Sequence, residues 1–230
     1  MILTELKDRG LVRLISATYH KPPVLSGLVD NDEEMALLTD LEGQTSARLE
    51  AEEGNDPSWD PLMLAWRKRQ QDISAYGNSH INAAFTYTRT GGNRFNGEQR
   101  GAWYSAWDTQ VSIAEVAFHR TRELSYIGKY EDKARYVEII SDCIGEFADI
   151  RDEPDHPCLH ADPAVGYPKG QALSEALIAD EHIGLIYPSV RAPEGDCLVV
   201  FDPTTVRNVR PGASWDLVWD GSPHYSAKCV

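Results

Sequence analysis

The chain has 230 residues, 42% of them hydrophobic, which is enough for one substantial domain or a domain with an appended lobe, and no apolar run nears the roughly 20 residues of a membrane helix. A formal charge of −14 argues against a general binder of nucleic acid or anionic membrane, since either needs a basic surface. An anionic small molecule would have to be met by a few arginines inside a cleft.

The start, Met1 to Asp8, carries charge where a signal peptide needs an apolar core, so a cytoplasmic location is expected. The first strand-like run is Leu11-Val12-Arg13-Leu14-Ile15. By alternation Arg13 shares a face with Leu11 and Ile15, which makes it either a cleft-lining cation or a snorkelling side chain on an edge strand. Pro22-Pro23 breaks the chain. Asn31 to Glu53 reads as an amphipathic helix with Met35, Leu38, Leu41 and Leu49 near one stripe, and Gly54 to Pro61 as a loop. A second helix start follows at Asp60-Pro61, leading to Leu62, Leu64, Ala65, Trp66 and the short basic patch Arg67-Lys68-Arg69, taken as surface. This third of the chain offers packing and little chemistry.

After Tyr76-Gly77-Asn78, Ala83 to Tyr87 reads as a strand. The segment from Arg94 to Glu115 then brings a cation, a phenol and a carboxylate into one short stretch. Glycines at 91, 92, 97 and 101 punctuate it, and the β-compatible run around Ala102 to Ala106 puts Tyr104 on a strand. Asp108 and Thr109 are capping side chains, and Val111, Ala114 and Phe118 recur at helical spacing, so a helix would carry Glu115 toward the interior or a cleft. A carboxylate there needs a guanidinium or a hydroxyl, because unpaired burial costs several kcal/mol or forces protonation. Arg94 is the nearest candidate in sequence. A satisfied salt bridge without chemistry accounts equally well for such a Glu.

Further on, Ala134 to Ile140 and Phe147 to Ile150 read as two strands, Gln171 to Ala179 as a short helix, and Gly184 to Arg191 as a buried strand ending at Ser189 and Arg191. Cys197 to Phe201 and Trp215 to Trp219 complete the strands. They follow no regular βαβ alternation, so the class is α+β. No dinucleotide fingerprint, P-loop or internal repeat occurs. The cysteines at 143, 158, 197 and 229 form no Cys-x-x-Cys pair and read as reduced thiols. His156-Pro-Cys158-Leu-His160 lacks a fourth ligand for a metal and reads as a polar loop, so no metal site is expected. Ser189 lacks a nucleophile elbow, and His182 has no evident orienting carboxylate, which disfavours a hydrolase triad.

In order and spacing, Arg13-Leu14-Ile15, Ala83-Ala84-Phe85-Thr86, Arg94-Phe95-Asn96, Tyr104, Ala114-Glu115, Tyr187-Pro188-Ser189-Val190-Arg191 and Phe201-Asp202-Pro203 resemble the RES-domain family. One difference is Asn93-Arg94-Phe95-Asn96, where many members show Gly-Arg-Trp-Asn. The resemblance implies a fold similar to ADP-ribosyltransferases, with mixed or antiparallel sheets forming an NAD cleft flanked by helices. On this reading residues 1–230 form one RES-type domain, with a helical segment at about 28–75 appended to a core of 10–20 and 76–220. The activity implied is that of a toxin that destroys NAD, as a phosphorylase giving nicotinamide and ADP-ribose 1″-phosphate or as a glycohydrolase, or that transfers ADP-ribose to a protein. NAD+ is then substrate, inorganic phosphate the co-substrate, and no cofactor is required. The implied partner is an Xre-type antitoxin that plugs the cleft, and a homo-oligomer is compatible with the sequence. Arg94, Tyr104 and Glu115 are the expected catalytic residues, and Arg13, Phe95, Asn96 and Ser189 the expected NAD-binding ones. Glu115 would hold ribose hydroxyls and stabilise developing positive charge, Arg94 and Arg13 would clamp phosphate oxygens, Tyr104 would stack on nicotinamide or ribose, and Ser189 would donate to a phosphate or ribose oxygen. An inactive module that binds nucleotide or antitoxin is the reading from another class.

Overall fold

The computed structural model describes residues 1–20, 46–53, 64 and 77–230. Strand β1 (Ile2–Ser16) runs antiparallel to the 19-residue β3 (Glu131–Asp149) for most of its length. A bulge between Asp8 and Leu11 holds Gly10 at φ 87°, and the extra residues turn the strand there, so that Val12 also meets Ala106 of β2 (Trp103–Ala106). Strand β2 pairs with β5 (Asp196–Val200), β5 with β4 (Gly184–Pro188), and β4 runs parallel to the end of β3. These pairings close a ring, β1-β2-β5-β4-β3 and back to β1. The other end of β3 carries β6 (Val206–Asp220), which carries β7 (Tyr225–Cys229).

Because successive side chains point to opposite faces, each strand near the site serves two cores. Trp103, Ile186, Leu198 and Val200 pack with Leu6, Leu11, Phe85 and Phe147. The alternate residues, Ala106, Tyr187, Cys197 and Val199, pack with Phe95, Val111 and Leu177 on the other face. That second face is covered by α3 (Thr109–Ile127) and α4 (Pro163–Ala179). A third cluster joins α3 through Ile113, Ala117 and Leu124 to Leu14, Leu217 and Trp219.

The α+β class holds, and several boundaries change. Ala83 to Tyr87, expected as a strand, lies in helix α2 (Asn78–Thr86) up to its C-terminal cap. Ile81, Ala84 and Phe85 bury at helical spacing there, which overrides the β-propensity of Phe85 and Thr86. The two strands expected at 134–140 and 147–150 are the single β3. The helix expected from Gln171 begins eight residues earlier, at Pro163, capped by Asp162. The sheet also exceeds the expected core of 10–20 and 76–220, since β1 starts at Ile2 and β7 ends at Cys229. Of the helix expected over Asn31–Glu53, only α1 (Ala47–Glu53) is described. The Gly54–Pro61 loop, the helix start at Asp60-Pro61 and the Arg67-Lys68-Arg69 patch lie outside the described residues, as does most of 28–75. No helix among the described residues is long and apolar enough to cross a membrane.

Candidate active site

Helix α3 carries the carboxylate. Its N-terminus is fixed by the Asp108 side chain, which accepts from the Gln110 amide at 2.6 Å, and by Ser112, whose hydroxyl donates to Val12 O at 2.8 Å. With Ile113 and Ala117 turned into the third core, a rotation of about 100° per residue carries Glu115 to the opposite side. There, with Ser112, Val116 and His119, it borders an open cavity of roughly 270 Å³. The buried stripe of α3 is therefore not the Val111-Ala114-Phe118 face expected from spacing. Val111 is buried, but Ala114 and Phe118 are half-exposed; Glu115 looks into a cleft, one of the two placements its spacing allowed.

Tyr104, Ala106, Tyr187 and Cys197 supply the sheet side of the cavity, and Arg13, Arg94 and Tyr167 close other sides. Its volume lies just below the roughly 300–1,000 Å³ of ordinary small-molecule sites. Arg13, Arg94, Tyr104 and Glu115 thus share one hollow. Phe95, Asn96 and Ser189 do not line it.

Those three stand behind the lining residues. Ser189 donates its hydroxyl hydrogen to Glu115 Oε1 at 2.7 Å and accepts from the amides of Arg191 and Ala192 at 3.2 and 3.0 Å. Its hydroxyl thus serves Glu115 in this arrangement, where the sequence pointed to a phosphate or ribose oxygen as the acceptor. Phe95 is fully buried, edge-on to Tyr187 at 4.7 Å between ring centroids, and is core rather than an aromatic wall for ligand. Asn96 Oδ1 accepts from the Tyr104 hydroxyl at 2.9 Å, and the same hydroxyl accepts from the Phe95 amide at 3.0 Å. With the Asn93 amide bonded to Asn96 O at 2.9 Å, this ties the 93–96 turn to β2. Gly92, at φ 68°, permits the turn, since a Cβ there would stand 2.2 Å from Asn96 O.

The turn presents Arg94 to α4. Arg94 Nη1 donates to Cys158 O at 2.5 Å and to His160 O at 3.0 Å, and its guanidinium lies over Tyr167 at 5.3 Å. Gly166 and Gly170, one turn apart on α4, make room for it: a Cβ at 166 would meet Nη1 at 2.7 Å and one at 170 would meet Arg94 O at 2.1 Å. The other two guanidinium nitrogens make no hydrogen bond among the described residues. Arg94 does not pair directly with Glu115, as sequence proximity suggested; the Glu115 carboxylate is met by Ser189. His156 and His160 cap the loop beneath, accepting from the amides of Cys158 and Asp162 at 3.3 and 3.1 Å.

Arg13 reaches the cavity from β1. Its Nη1 donates to Tyr104 O at 3.2 Å, and its guanidinium sits 4.9 Å from the Trp103 ring centroid. Burial pulls its pKa down to about 10, which leaves it a cation at neutral pH. Burial likewise pushes the Tyr104 phenol upward, so it stays protonated. Burial raises the Glu115 carboxyl above the usual range, a rise held back by the Ser189 hydrogen bond and the nearby Arg191 and Arg94 charges.

His119, Arg89 and Tyr167 also line the cavity and were not foreseen. His119 follows Glu115 by four residues, so helical spacing could have found it. Tyr167 arrives only through the packing of α4, which no local pattern reports.

The RES domain family model matches residues 64–220, and the chain belongs to that family. Its seven-stranded mixed sheet flanked by helices is consistent with an ADP-ribosyltransferase-like RES fold. RES domains are associated with toxin–antitoxin systems, where the partner is an antitoxin, and with NAD-related activity. No curated protein matches the chain.

Proposed function

We propose that this protein is the toxin of a toxin–antitoxin pair and depletes NAD+ by breaking the nicotinamide–ribose bond, with inorganic phosphate as acceptor. The observation that carries the reading is the convergence of Glu115, Arg13 and Arg94 on one cavity, with Glu115 held by Ser189 rather than neutralised by a salt bridge. NAD+ is the substrate, and the chemistry needs no resident cofactor.

Cleavage passes through an oxocarbenium-like ribose. The C1″–N bond breaks with its electron pair going to the pyridinium nitrogen, which leaves as neutral nicotinamide without needing a proton. A phosphate oxygen then bonds to C1″ and gives ADP-ribose 1″-phosphate. Glu115 stabilises the positive charge that develops on the ribose and accepts hydrogen bonds from its hydroxyls. Arg13 and the uncommitted nitrogens of Arg94 meet the diphosphate, and Tyr104 holds the 93–96 turn while its ring forms the floor under the sugar. The antitoxin, of the Xre type, blocks the mouth of the cavity.

Product analysis tests this. NAD+ incubated with the purified chain should release nicotinamide, faster with added phosphate, and a mass matching ADP-ribose 1″-phosphate should appear. ADP-ribose alone would indicate hydrolysis, and label transferred from NAD+ to protein would indicate ADP-ribosylation. Absence of nicotinamide release would contradict the proposal and favour a binding module.

A further inference from the structure

Arg89 and His119 stand at the edge of the cavity, and two further arginines, Arg122 and Arg191, lie beside them without lining it. Arg89 lines it with half its side chain exposed, and Arg89 Nη1 lies 3.4 Å from His119 Nδ1. A guanidinium only donates, so Nδ1 is the acceptor and the imidazole carries its proton on Nε2. The His119 ring lies edge-on to Phe118, 5.5 Å between centroids. The same phenyl ring carries two more guanidiniums, with the Arg191 Cζ 3.3 Å and the Arg122 Cζ 5.8 Å from its centroid.

These charges are only partly offset: Arg191 lies near the Glu115 carboxyl, and its Nη2 donates to Ala161 O at 2.8 Å. Arg89 approaches Glu123 at 3.8 Å, but Glu123 is shared with Arg120 at 3.3 Å. Neither Arg122 nor Arg191 forms an ion pair among the described residues, and the Arg122 Nε is buried without a hydrogen-bond partner. Burial, then the fields of Arg89, Arg122 and Arg191, drive the His119 pKa down to about 3, so the ring itself is neutral. On a chain of net charge −14, three guanidiniums around two neighbouring rings form a local positive surplus that an anion would relieve.

We infer that Arg89, Arg122 and Arg191 form a second anion subsite beside the cavity, around the 118–119 ring pair one helical turn from Glu115, and that it takes a phosphate group. The subsite rests on the NAD-cleaving reading only for the source of that phosphate. Phosphorolysis brings two anionic groups to one cavity, the diphosphate of NAD+ and the incoming phosphate. With the diphosphate on Arg13 and Arg94, a separate seat lets both bind at once.

Calorimetry with inorganic phosphate and with pyrophosphate tests the subsite on the full chain. Wild type should bind, the Arg89→Gln/Arg122→Gln double variant should bind at least about tenfold more weakly, and Arg122→Lys, which keeps the charge but loses the planar fork, should fall between them. Arg207→Gln, an exposed arginine on β6, should bind like wild type, and thermal melts should show every variant folded. In NAD+ cleavage by the double variant, a raised KM for phosphate alone identifies free phosphate as the occupant, and a raised KM for NAD+ identifies the diphosphate. No binding of either anion by wild type, or equal binding by the double variant, overturns the inference. Nicotinamide release with both KM values unchanged would do the same while leaving the proposed function standing. Anion binding that depends on Arg89 and Arg122, without any NAD+ cleavage, would keep the subsite and sink the proposed function.

Discussion

At the scale of single residues, Glu115 is held in a state that costs the fold something. Its carboxyl is raised by burial, so its contribution to stability is fully present below the ordinary Glu pKa of about 4.3 and is lost as pH rises through its higher folded value. Glu115→Gln keeps a carbonyl oxygen for Ser189 and removes the charge. Relative to wild type, the variant should therefore gain stability between pH 4 and pH 7, read as the difference in denaturation midpoint at the two pH values; a loss would contradict the raised pKa. Ser189 acts through Glu115. Removing its hydroxyl in Ser189→Ala should let the Glu115 pKa climb further and move the acid limb of kcat/KM to higher pH, with activity partly recovered in alkali. Two amides would also lose their acceptor, a cost of about 1–3 kcal/mol. An unmoved acid limb would show Ser189 to be structural only.

At the scale of elements, the start of the helix that carries Glu115 was legible because its signals are local: Asp108 caps it and apolar residues follow at helical spacing, while its end at Gly128, φ 70°, went unread. Which of its faces is inward was not legible, since Val111 and Ile113 are equally apolar and only the position of β1 and β6 decides between them. Helix α2 was misread for the same reason, because Phe85 and Thr86 carry β-propensity while their burial is set by contacts distant in sequence. The role of α4 was invisible, because its glycines matter only through Arg94. Gly170→Ala would force a Cβ to within 2.1 Å of Arg94 O, whereas one at Gly97 meets nothing within 4 Å among the described residues. Gly170→Ala should thus lower both the melting temperature and kcat/KM, the latter by about tenfold or more, as a displaced catalytic group does. Gly97→Ala should leave both near wild type; equal effects from the two would refute the seat of Arg94 on α4.

At the scale of the molecule, the strand ring is tied by carboxylates at its seams. Asp149 joins β1 to β3, accepting from Thr4 at 2.8 Å and from Arg151 at 2.6 Å. Asp142 accepts from the Gly10 amide in the bulge at 3.1 Å and pairs with Arg210 at 3.0 Å. Burial alone would raise both carboxyls, but these bonds outweigh it and hold their pKa values below the usual range. Their stabilisation is present above the unfolded Asp value of about 3.9 and lost as pH falls through the depressed folded values. Acid unfolding should therefore begin below about pH 4, and Asp149→Asn should flatten the loss there; a midpoint independent of pH from 5 to 2 would contradict it. Ring closure could not be read from the sequence, because β1 reaches β2 through one residue pair and β3 through thirteen. The motif residues nevertheless converged, since Arg13, Arg94, Tyr104 and Glu115 sit on elements that this ring brings to one face. The most direct test of that convergence is the initial rate of nicotinamide release from NAD+ by wild type and by Glu115→Gln, together with NAD+ binding to the variant. The expected result is bound NAD+ with turnover reduced by about a hundredfold or more; a variant that cleaves NAD+ at the wild-type rate would show that the chemistry lies elsewhere.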